Sequence, residues 1–470
     1  MPIRLAAAEI DSAFREALTD LFENLGPGDH NRFLRVQVAI EGMDLLQWLK
    51  NQPSDIKTYW RDREGRFETA GVYAADSVSG ALVPEYHALM NRLKEYLAQA
   101  DPRVRYYGGM RFNRKHASDY RWEVFSSYHF IVPLFEVIRD GDKTFLACNV
   151  LVRDDQDKNS ALQKIRDVWK RISFNAAEHE PLPRFIKRTD FPDKSRWHQN
   201  IHTALRAFSE NKLEKIVLAR RTRMEFEQPL NPVELLWRLK LNNHRAYYFG
   251  FQFNERTAFI GGTPEQLYRR EGNNIFTEAV AGTRRRGHNR EEDLRLENDL
   301  LNSEKDVREH RFVVDSIGDT LSELCAVVDV EKNLSVLKLS SLQHLRKTFR
   351  GVLKKGQSDA CILARLHPTP AVGGVPSAPA MDEIEKIEGF DRGWYAGPVG
   401  WISRNDAEFA VGIRSALVYE NALYLYSGAG IVQGSHAESE WEEIENKIAG
   451  FMSAVEQVVA EPQPGKASVI

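Results

Sequence analysis

The sequence predicts an α+β fold in which antiparallel sheets pack together with long helices outside. Two observations lead to this class. Apolar residues make up 42% of the 470 residues and charged residues 28%, which is the balance of a soluble globular protein with a large core. Strand-like segments follow one another closely, and those near the C-terminus are joined by the short connections 404–406 and 420–421, which favour antiparallel pairing.

The N-terminal part of the chain mixes helix and strand patterns. Residues 85–100 and 167–172 have the apolar spacing of helices. Residues 145–155 predict a strand that follows a turn at 140–141. The charged, proline-containing segment 178–200 indicates the border of this part.

The patterns are clearer in the second half of the chain. Residues 215–226 alternate as a strand does, and a helix is predicted next at 231–241. Further strands are predicted at 245–253, 256–262, 265–271, 274–282, 393–403, 408–419 and 422–432. A long helix repeats apolar residues every three or four positions, at Val307, His310, Val314, Ile317, Leu321 and Leu324. The last helix does the same, at Trp441, Ile444, Ile448, Phe451, Val455 and Val458.

Charge and composition exclude several classes of function. The formal net charge of −3 gives no reason to expect nucleic acid or a membrane surface as a partner, because both attract basic surfaces. No apolar run of about 18 residues is present, so no membrane span is expected. Glu9 and Asp11 interrupt the N-terminal apolar patch, which argues against a secretory signal. Cys148, Cys325 and Cys361 are too few and too far apart for a disulfide framework or a zinc site, which favours the cytoplasm.

Two helices carry acidic residues beside their apolar faces. In the last helix, Glu440, Glu443 and Lys447 run along one flank, and in the long helix Glu309 borders the buried face. Mg²⁺ binds through one or two carboxylates while keeping waters and substrate oxygens. Glu309 and Glu443, brought from two helices, would suit such a site. The alternative is that both flanks are solvated surface, as most acidic flanks are. Glu304, four residues before Arg308, has the spacing of a surface ion pair.

Glu265 and Lys215 are candidates for proton transfer. Glu265 follows the turn 261–264, where burial would raise the pKa of a carboxyl group, as a general acid requires. Lys215 opens an apolar strand, and a partly buried lysine can act as a base. The alternatives are a turn residue held by its backbone and a lysine whose ammonium group reaches water.

Other segments indicate an anionic ligand less specifically. Arg414 lies inside the apolar strand 408–419, where a charged residue usually has an anionic partner. The glycine-rich segment 427–431 allows backbone N–H groups to approach an anion, although a bulge explains it equally well. His344 and His367 are not spaced as a metal site, and each is more often structural. No phosphate-binding loop or dinucleotide fingerprint is present, so neither ATP nor a dinucleotide is indicated.

Together these segments resemble the chorismate-utilising enzymes, the family of isochorismate synthase, salicylate synthase and the large subunits of anthranilate and aminodeoxychorismate synthases. The motifs occur in the family's order over about residues 195–455: KIVLAR, GGTPEQL, EAVAGTRRRG, SEKDVREH, LQHL, LHPTPAVGGVP, DRGWYAGPVGW, GIRSA, SGAGIV and EWEEIENK. The N-terminal part resembles the family less distinctly, through YYGGMRF at 106–112.

The resemblance implies a single large domain of two packed, mainly antiparallel sheets flanked by helices, with the active site between them. Residues 1–194 would be the N-terminal part of this fold and residues 195–460 the chorismate-binding catalytic region. Residues 461–470 are expected to form a disordered tail. The expected ligands are chorismate and isochorismate, and the expected assembly is a monomer or a weak homodimer.

The resemblance also implies roles for individual residues. Lys215 would activate water for attack at C2 of chorismate, and Glu265 would protonate the departing C4 hydroxyl. Glu309 and Glu443 would bind Mg²⁺, which would hold the ring carboxylate of the substrate. Two further carboxylates would lie beside this pair: Glu304 and Glu440. The remaining matched positions would bind substrate: Ala281, Gly282, Thr283, His344, Thr369, Tyr395, Arg414, Gly428, Ala429, Gly430 and Lys447.

Three positions indicate the branch of the family. Aminodeoxychorismate synthases carry a lysine nucleophile where this chain has Ala281, and alanine leaves room for water instead. The retained Lys215 argues against an ammonia-using anthranilate synthase, and residues 367–374 are more similar to isochorismate synthases than to salicylate synthases. The resemblance therefore implies a Mg²⁺-dependent isochorismate synthase, an isomerase that feeds menaquinone biosynthesis. Salicylate synthase, a siderophore-pathway isochorismate synthase and an inactive binding subunit are the alternatives.

Overall fold

The structure, a computed structural model, describes residues 7–24, 31–82, 85–113, 119–153, 158–175, 178–242, 245–339 and 342–456. The α-helices within these ranges are α1 (Ala7–Glu23), α2 (Leu45–Lys50), α3 (Tyr86–Leu97), α4 (Lys158–Trp169), α5 (Lys194–Ser209), α6 (Pro232–Asn242), α7 (Arg290–Leu301), α8 (Glu304–Leu324), α9 (Asp359–Leu366), α10 (Ser377–Glu388) and α11 (Ala437–Glu456). The tail predicted at 461–470 lies outside the described residues.

The strands of the same ranges are β1 (Arg32–Ile40), β2 (Lys57–Arg61), β3 (Phe67–Gly80), β4 (Tyr106–Met110), β5 (Tyr128–Asp140), β6 (Lys143–Val152), β7 (Phe185–Phe191), β8 (Lys215–Phe226), β9 (Tyr247–Asn254), β10 (Thr257–Thr263), β11 (Gln266–Glu271), β12 (Asn274–Arg285), β13 (Cys325–Val330), β14 (Ser335–Lys338), β15 (Leu342–Leu353), β16 (Gly374–Val375), β17 (Pro398–Ile402), β18 (Asp406–Val411), β19 (Ser415–Tyr419) and β20 (Ala422–Val432). The predicted strand 215–226 is confirmed at both ends, because its alternating pattern is uninterrupted.

The described strands pair antiparallel and form one branched sheet. The branch point is β5, whose first residues pair with β4 and whose last residues pair with β6, while β3 runs along its other edge. One arm continues from β3 through β2, β9, β10, β19 and β20 to β8. The other continues from β4 through β17, β18, β11 and β12 to β15.

The two arms pack against each other through one apolar core. Phe249 and Phe259 of the first arm belong to the same buried cluster as Val399 and Phe409 of the second. The predicted α+β class, with mainly antiparallel sheets and flanking helices, is therefore confirmed. The two layers are hydrogen-bonded to each other, however, because β5 is long enough to pair with members of both.

A second core covers the outer face of the first arm with helices. Leu236 of α6 and Phe451 of α11 share this cluster with Ile260 and Val418 of the sheet. The predicted stripe of α11 is thus buried at Ile444, Ile448 and Phe451. Val458 lies outside the described residues.

The stripe predicted for α8 is only partly right. His310, Ile317, Leu321 and Leu324 are buried as expected. Val313, which was not included, is buried too, because the apolar face of a helix is wider than a single line of residues. Val307, in the first turn, is exposed.

The prediction of a single strand at 408–419 is wrong. The chain leaves β18, which belongs to the second arm, at Val411 and enters β19, which belongs to the first arm, at Ser415. Arg414 lies in this crossover with φ of 49°, an uncommon conformation for a residue other than glycine. Its place between the arms explains how an arginine occurs within a largely apolar segment.

Strands from the predicted N-terminal part pair with strands of the predicted catalytic part. β2 pairs with β9, β4 with β17, and β7 with β8. The sheet therefore depends on both segments. Among the described residues, no helix is long and apolar enough to cross a membrane.

Candidate active site

A cavity lies beside α8, α11 and the two arms of the sheet. Twelve residues named from the sequence line it: Glu265, Ala281, Gly282, Thr283, Glu309, His344, Tyr395, Arg414, Gly428, Gly430, Glu443 and Lys447. Residues that are far apart in the sequence thus meet in one place, as the family resemblance implies.

Lys215 is fully buried and does not itself line this cavity, but it lies next to two residues that do, Glu309 and Gly430. Its Nζ is 3.0 Å from Oε1 of Glu309, so the base expected from the sequence is paired with one of the expected metal ligands. The alternative of an ammonium group reaching water does not apply. Gly430 allows the two to meet, because a Cβ at this position would lie 2.3 Å from Oε1 of Glu309.

Glu265 occupies the two-residue connection between β10 and β11 and is 6% exposed. Burial, reinforced by the negative charge of Glu278, raises the pKa of Glu265 to about 8, although Lys215 and Lys447 act in the opposite direction. The carboxyl group is therefore protonated near neutral pH, which is the state that a general acid needs.

Glu309 of α8 and Glu443 of α11 both reach the cavity from separate helices. Lys447 Nζ lies 2.6 Å from Oε1 of Glu443. Burial alone would raise the pKa of Glu443, but the charges of Lys447, Lys305 and Arg414 outweigh it and hold the pKa below its usual value. Glu443 is therefore ionised at neutral pH and available to a cation.

The donor set fits Mg²⁺, which needs only one or two carboxylates in addition to water and substrate oxygens. Glu309 and Glu443 supply two carboxylates that border one cavity. No group of three or more potential ligands occurs among the described His, Cys, Asp and Glu residues, so a site closed entirely by protein atoms does not form within them.

The two carboxylates expected beside this pair have different environments. Glu440 is 1% exposed and its Oε1 accepts a hydrogen bond from Lys305 Nζ at 2.7 Å. Glu304 is exposed in the first turn of α8 and does not line the cavity, so the structure gives no contact that supports a role for it. Lys305 was missed in the sequence, although it lies one helical turn before Glu309 and therefore on the same side of α8.

A bulge in β12 orients His344. The register of β12 against β15 shifts between Ala281 and Arg284, and Gly282 there has φ of 70°. The carbonyl of Gly282 accepts a hydrogen bond from His344 Nδ1 at 3.0 Å. Burial and the charge of Arg414 lower the pKa of His344 to about 3, so the ring is neutral. Its buried Nε2 has no partner among the described residues and can accept a hydrogen bond from a ligand hydroxyl.

Two basic side chains of the cavity, Lys447 and Arg414, donate hydrogen bonds to backbone carbonyls. Lys447 Nζ donates to the carbonyl of Gly428 at 2.8 Å, and Arg414 donates to the carbonyl of Lys447 at 3.4 Å. Tyr395 borders the same wall. Ala429 does not line the cavity, because alternate residues of a strand face opposite sides and its neighbours Gly428 and Gly430 occupy positions that face the cavity.

A buried ion pair that was missed in the sequence holds two walls of the cavity together. Arg392 donates to the carbonyls of Val217 at 2.8 Å and Val372 at 3.0 Å, both of which line the cavity. Its partner Glu388 accepts from the N–H of Ala219 at 2.7 Å. An i, i+4 pair at a helix end resembles ordinary surface charge in a sequence, so no local signal identifies it.

The two remaining candidates, Thr369 and His367, do not line the cavity. Thr369 is buried and does not line it; its carbonyl accepts hydrogen bonds from the N–H groups of Val372 and Gly373. His367 Nε2 lies 3.2 Å from the carbonyl of Phe112, the structural role that is usual for a lone histidine.

Comparison with known proteins agrees with this arrangement. The family model described as chorismate binding enzyme matches residues 20–456. The chain is 33% identical to isochorismate synthase 2, chloroplastic, of Arabidopsis thaliana, over 94% of this chain and 83% of that protein. It is also 33% identical to isochorismate synthase MenF of Haemophilus influenzae, over 90% of this chain and 92% of that protein.

A solved structure is similar over nearly the whole chain. It is that of MenF, described as the menaquinone-specific isochorismate synthase from Escherichia coli, and it matches with a TM-score of 0.83 and 29% identity. The match covers 94% of this chain and 99% of that one. Because the family model extends over almost all of the described residues and its motifs converge on one cavity, the chain belongs to the family of chorismate-binding enzymes.

Proposed function

We propose that the protein converts chorismate to isochorismate by adding water at C2 and removing the hydroxyl group at C4. The observation that carries this proposal is a protonated carboxyl group at the cavity, Glu265, together with a fully buried lysine, Lys215, that is paired with the cavity residue Glu309. The relatives named above are isochorismate synthases, which supports the same reaction. Ala281, where a nucleophilic lysine would divert the chemistry, leaves space for water.

Lys215 acts first, because water is a poor nucleophile. Its Nζ accepts a proton from water as the oxygen attacks C2, and Glu309, 3.0 Å away, stabilises the ammonium group that results. The full burial of Lys215 keeps this amine away from bulk solvent.

Glu265 completes the reaction, because hydroxide is a poor leaving group. Its carboxyl group, which is protonated near neutral pH, donates a proton to the C4 oxygen as the bond to C4 breaks. His344 is neutral, and its free Nε2 can accept a hydrogen bond from a ring hydroxyl and so orient the ring.

The charges of the cavity suit a dianion. Among the described lining residues, Lys447 and Arg414 are basic, and with Glu265 protonated the carboxylates are Glu309 and Glu443. Glu309 and Glu443 would hold Mg²⁺, which would supply Lewis-acid binding of the ring carboxylate. Arg414 would pair with the second carboxylate of the substrate.

The direct test is the product formed from chorismate and Mg²⁺, identified by chromatography. We expect isochorismate without stoichiometric pyruvate. Release of one pyruvate per chorismate would replace this proposal by salicylate synthase. We expect Lys215→Ala to abolish turnover and Lys212→Ala, at an exposed position just before β8, to preserve it. Full turnover by Lys215→Ala would indicate a binding subunit instead.

The metal assignment has a test of its own. Glu443→Gln should weaken the binding of Mg²⁺ and of chorismate together, each by roughly tenfold or more, because both would use the same carboxylate. Calorimetric titration measures both affinities without turnover. Glu442→Gln, the exposed neighbour on the same helix, is the matched control and should leave both unchanged. An unaltered Mg²⁺ affinity in Glu443→Gln would refute the assignment.

The pathway is a further part of the proposal. The similarity to a menaquinone-specific enzyme supports a role in menaquinone biosynthesis. Loss of menaquinone, rather than of a siderophore, in cells that lack the protein would support this role.

A further inference from the structure

Arg63 and Glu278 form a buried ion pair next to the catalytic cavity but outside it. Arg63, two residues after β2, is 9% exposed, and Glu278, in β12, is 4% exposed. Both terminal nitrogens of Arg63 donate to the carboxylate of Glu278, Nη2 at 3.1 Å. Both side chains border a separate groove that shares no lining residue with the catalytic cavity. The proposed reaction uses neither residue.

The pair contacts the backbone on both sides of Glu265. Arg63 Nη1 donates to the carbonyl of Pro264 at 2.9 Å. The N–H of Gln266 points to Oε1 of Glu278 at 3.5 Å, a long contact. The residue before Glu265 and the residue after it are therefore both attached to the same ion pair.

The remaining backbone groups of Glu265 are also held. Its N–H donates to Thr263 Oγ1 at 3.3 Å, and its carbonyl accepts from the N–H of Val411 at 3.0 Å. With both flanking peptides fixed, the carboxyl group has few ways to leave the cavity. A proton donor needs such a fixed position, because a small displacement from the leaving group lowers the rate steeply.

We propose that the Arg63–Glu278 pair positions Glu265 for proton donation and places a negative charge behind it. This inference rests on the proposed function, because it assigns a role within that reaction. Arg63 also lies 3.5 Å from Glu64 and above the ring of Tyr247 at 5.5 Å, so its own position is fixed from several sides.

The charges that face Glu265 come from several elements. Glu278 of β12 disfavours the ionised form of Glu265, and Lys215 of β8 and Lys447 of α11 favour it. The hydroxyl group of Tyr395 is neutral, since burial raises the pKa of Tyr395 well above its usual value. Glu278 is thus the one named neighbour whose charge acts in the same direction as burial.

The test is the pH dependence of kcat/KM in Glu278→Gln. Glutamine keeps the size of the side chain but removes the charge, and it leaves the guanidinium of Arg63, close to Glu265, with only the longer contact to Glu64 as an ion pair. Both changes favour ionised Glu265, so activity should be lost at lower pH. We expect the alkaline limb of the profile, near pH 8 in the parent protein, to move down by about one pH unit.

Arg63→Lys tests the positioning of Glu265 separately from the effect of charge on its pKa. Lysine keeps the positive charge but cannot donate in parallel to both oxygens of Glu278 and also to the Pro264 carbonyl. We expect kcat to fall roughly tenfold with the alkaline limb in place. An unchanged kcat would contradict the positioning role.

Glu136→Gln is the matched control, because Glu136 is also a buried strand residue paired with an arginine, Arg35, at 2.5 Å. Glu136→Gln should lower thermal stability without changing the pH of the alkaline limb of the kcat/KM profile. If Glu278→Gln does not fold, the double variant Arg63→Met, Glu278→Leu removes the negative charge without leaving an unpaired partner, and it should give a smaller shift in the same direction because the positive charge of Arg63 is removed as well.

An infrared titration of the Glu265 carboxyl group, identified by the band missing in Glu265→Gln, gives a readout that needs no turnover. If chorismate is not converted but this titration moves in Glu278→Gln, the proposed function fails and the role of the pair stands. If the parent converts chorismate normally, and Glu278→Gln changes neither the pH of the alkaline limb of kcat/KM nor the infrared titration of Glu265, the role proposed for the Arg63–Glu278 pair is refuted.

Discussion

Glu265 shows how one residue acquires a function from its surroundings. Activity needs its protonated form, whose pKa is about 8, so turnover should decline as the pH rises through this value. Glu265→Gln cannot donate the proton, and we expect kcat to fall by about 10²–10⁴-fold while chorismate still binds. Steady-state kinetics and calorimetry separate the two effects. Glu271→Gln, at the exposed end of β11, the strand that follows Glu265, should behave as the parent does.

The same substitution should stabilise the folded protein. A carboxyl group whose pKa rises from 4.5 to about 8 on folding makes the folded state lose stability as the pH rises across that interval. Glutamine has no proton to lose. The free energy of unfolding of the variant should therefore exceed that of the parent by on the order of 2–4 kcal/mol at pH 8.5 and by little at pH 4.5. Urea unfolding at the two pH values measures this. An equal difference at both would mean that Glu265 is not buried as a neutral acid.

Residue types were predictable from the sequence, but their protonation was not. Lys215 and Glu265 are recognisable by motif, yet their alternatives, a lysine in water and a backbone-held turn residue, were equally consistent with the local pattern. The burial of both side chains in the folded protein distinguished between these interpretations. Full burial of Lys215 depends on segments distant in the sequence, and the charge of Glu278 comes close to Glu265 through the pairing of β11 with β12.

At the scale of elements, the contact between β20 and α8 determines whether Lys215 and Glu309 can meet. In Gly430→Ala the new methyl group would lie 2.3 Å from Glu309 Oε1 and 3.3 Å from Lys215 Cε. We expect the pair to separate, kcat to fall at least about tenfold, and stability to fall by about 1–3 kcal/mol. Turnover assays and urea unfolding measure both quantities.

Gly450→Ala is the comparison variant, because its methyl group on the exposed side of α11 would meet only one atom, at 3.9 Å. It should keep full turnover and gain about 0.5–1 kcal/mol from higher helix propensity. If Gly430→Ala were as active as this variant, the close approach of α8 to β20 would have no catalytic importance.

Elements with a strong internal pattern were predicted well, and elements shaped by their neighbours were not. β8 and the buried stripe of α11 follow directly from residue spacing. The break between β18 and β19 does not, because the apolar residues on both sides of Arg414 continue the strand pattern while the chain changes from one arm to the other. The bulge at Gly282 was missed for the same reason: it depends on the register with β15.

At the scale of the whole molecule, the proposed catalytic residues lie between Lys215 and Glu443, but the sheet that holds them also includes strands from residues 1–194. Residues 195–470 alone would leave β9, β17 and β8 without the partners β2, β4 and β7. Such exposed strand edges associate with other chains. We expect this fragment to aggregate and to be inactive, as size-exclusion chromatography and a turnover assay would reveal.

Co-expression with residues 1–194 is the control for this experiment, and it should restore soluble, active protein. A monomeric fragment with normal turnover would contradict the structural role assigned to the first part of the chain. The three cysteines do not complicate these measurements, because all of them are free thiols.

The sequence by itself determined the class of fold and most strand and helix positions, because these depend on residue type and on spacings of a few residues, and its motifs, through the family resemblance, led to the candidate reactive side chains. Only the tertiary structure decided that Lys215 is paired with Glu309, that Ala429 and Glu304 do not line the cavity, and that Arg63 and Glu278 contact the backbone on both sides of Glu265. Each of these outcomes depends on distance and burial between segments far apart in the chain, and neither quantity is encoded in any local pattern.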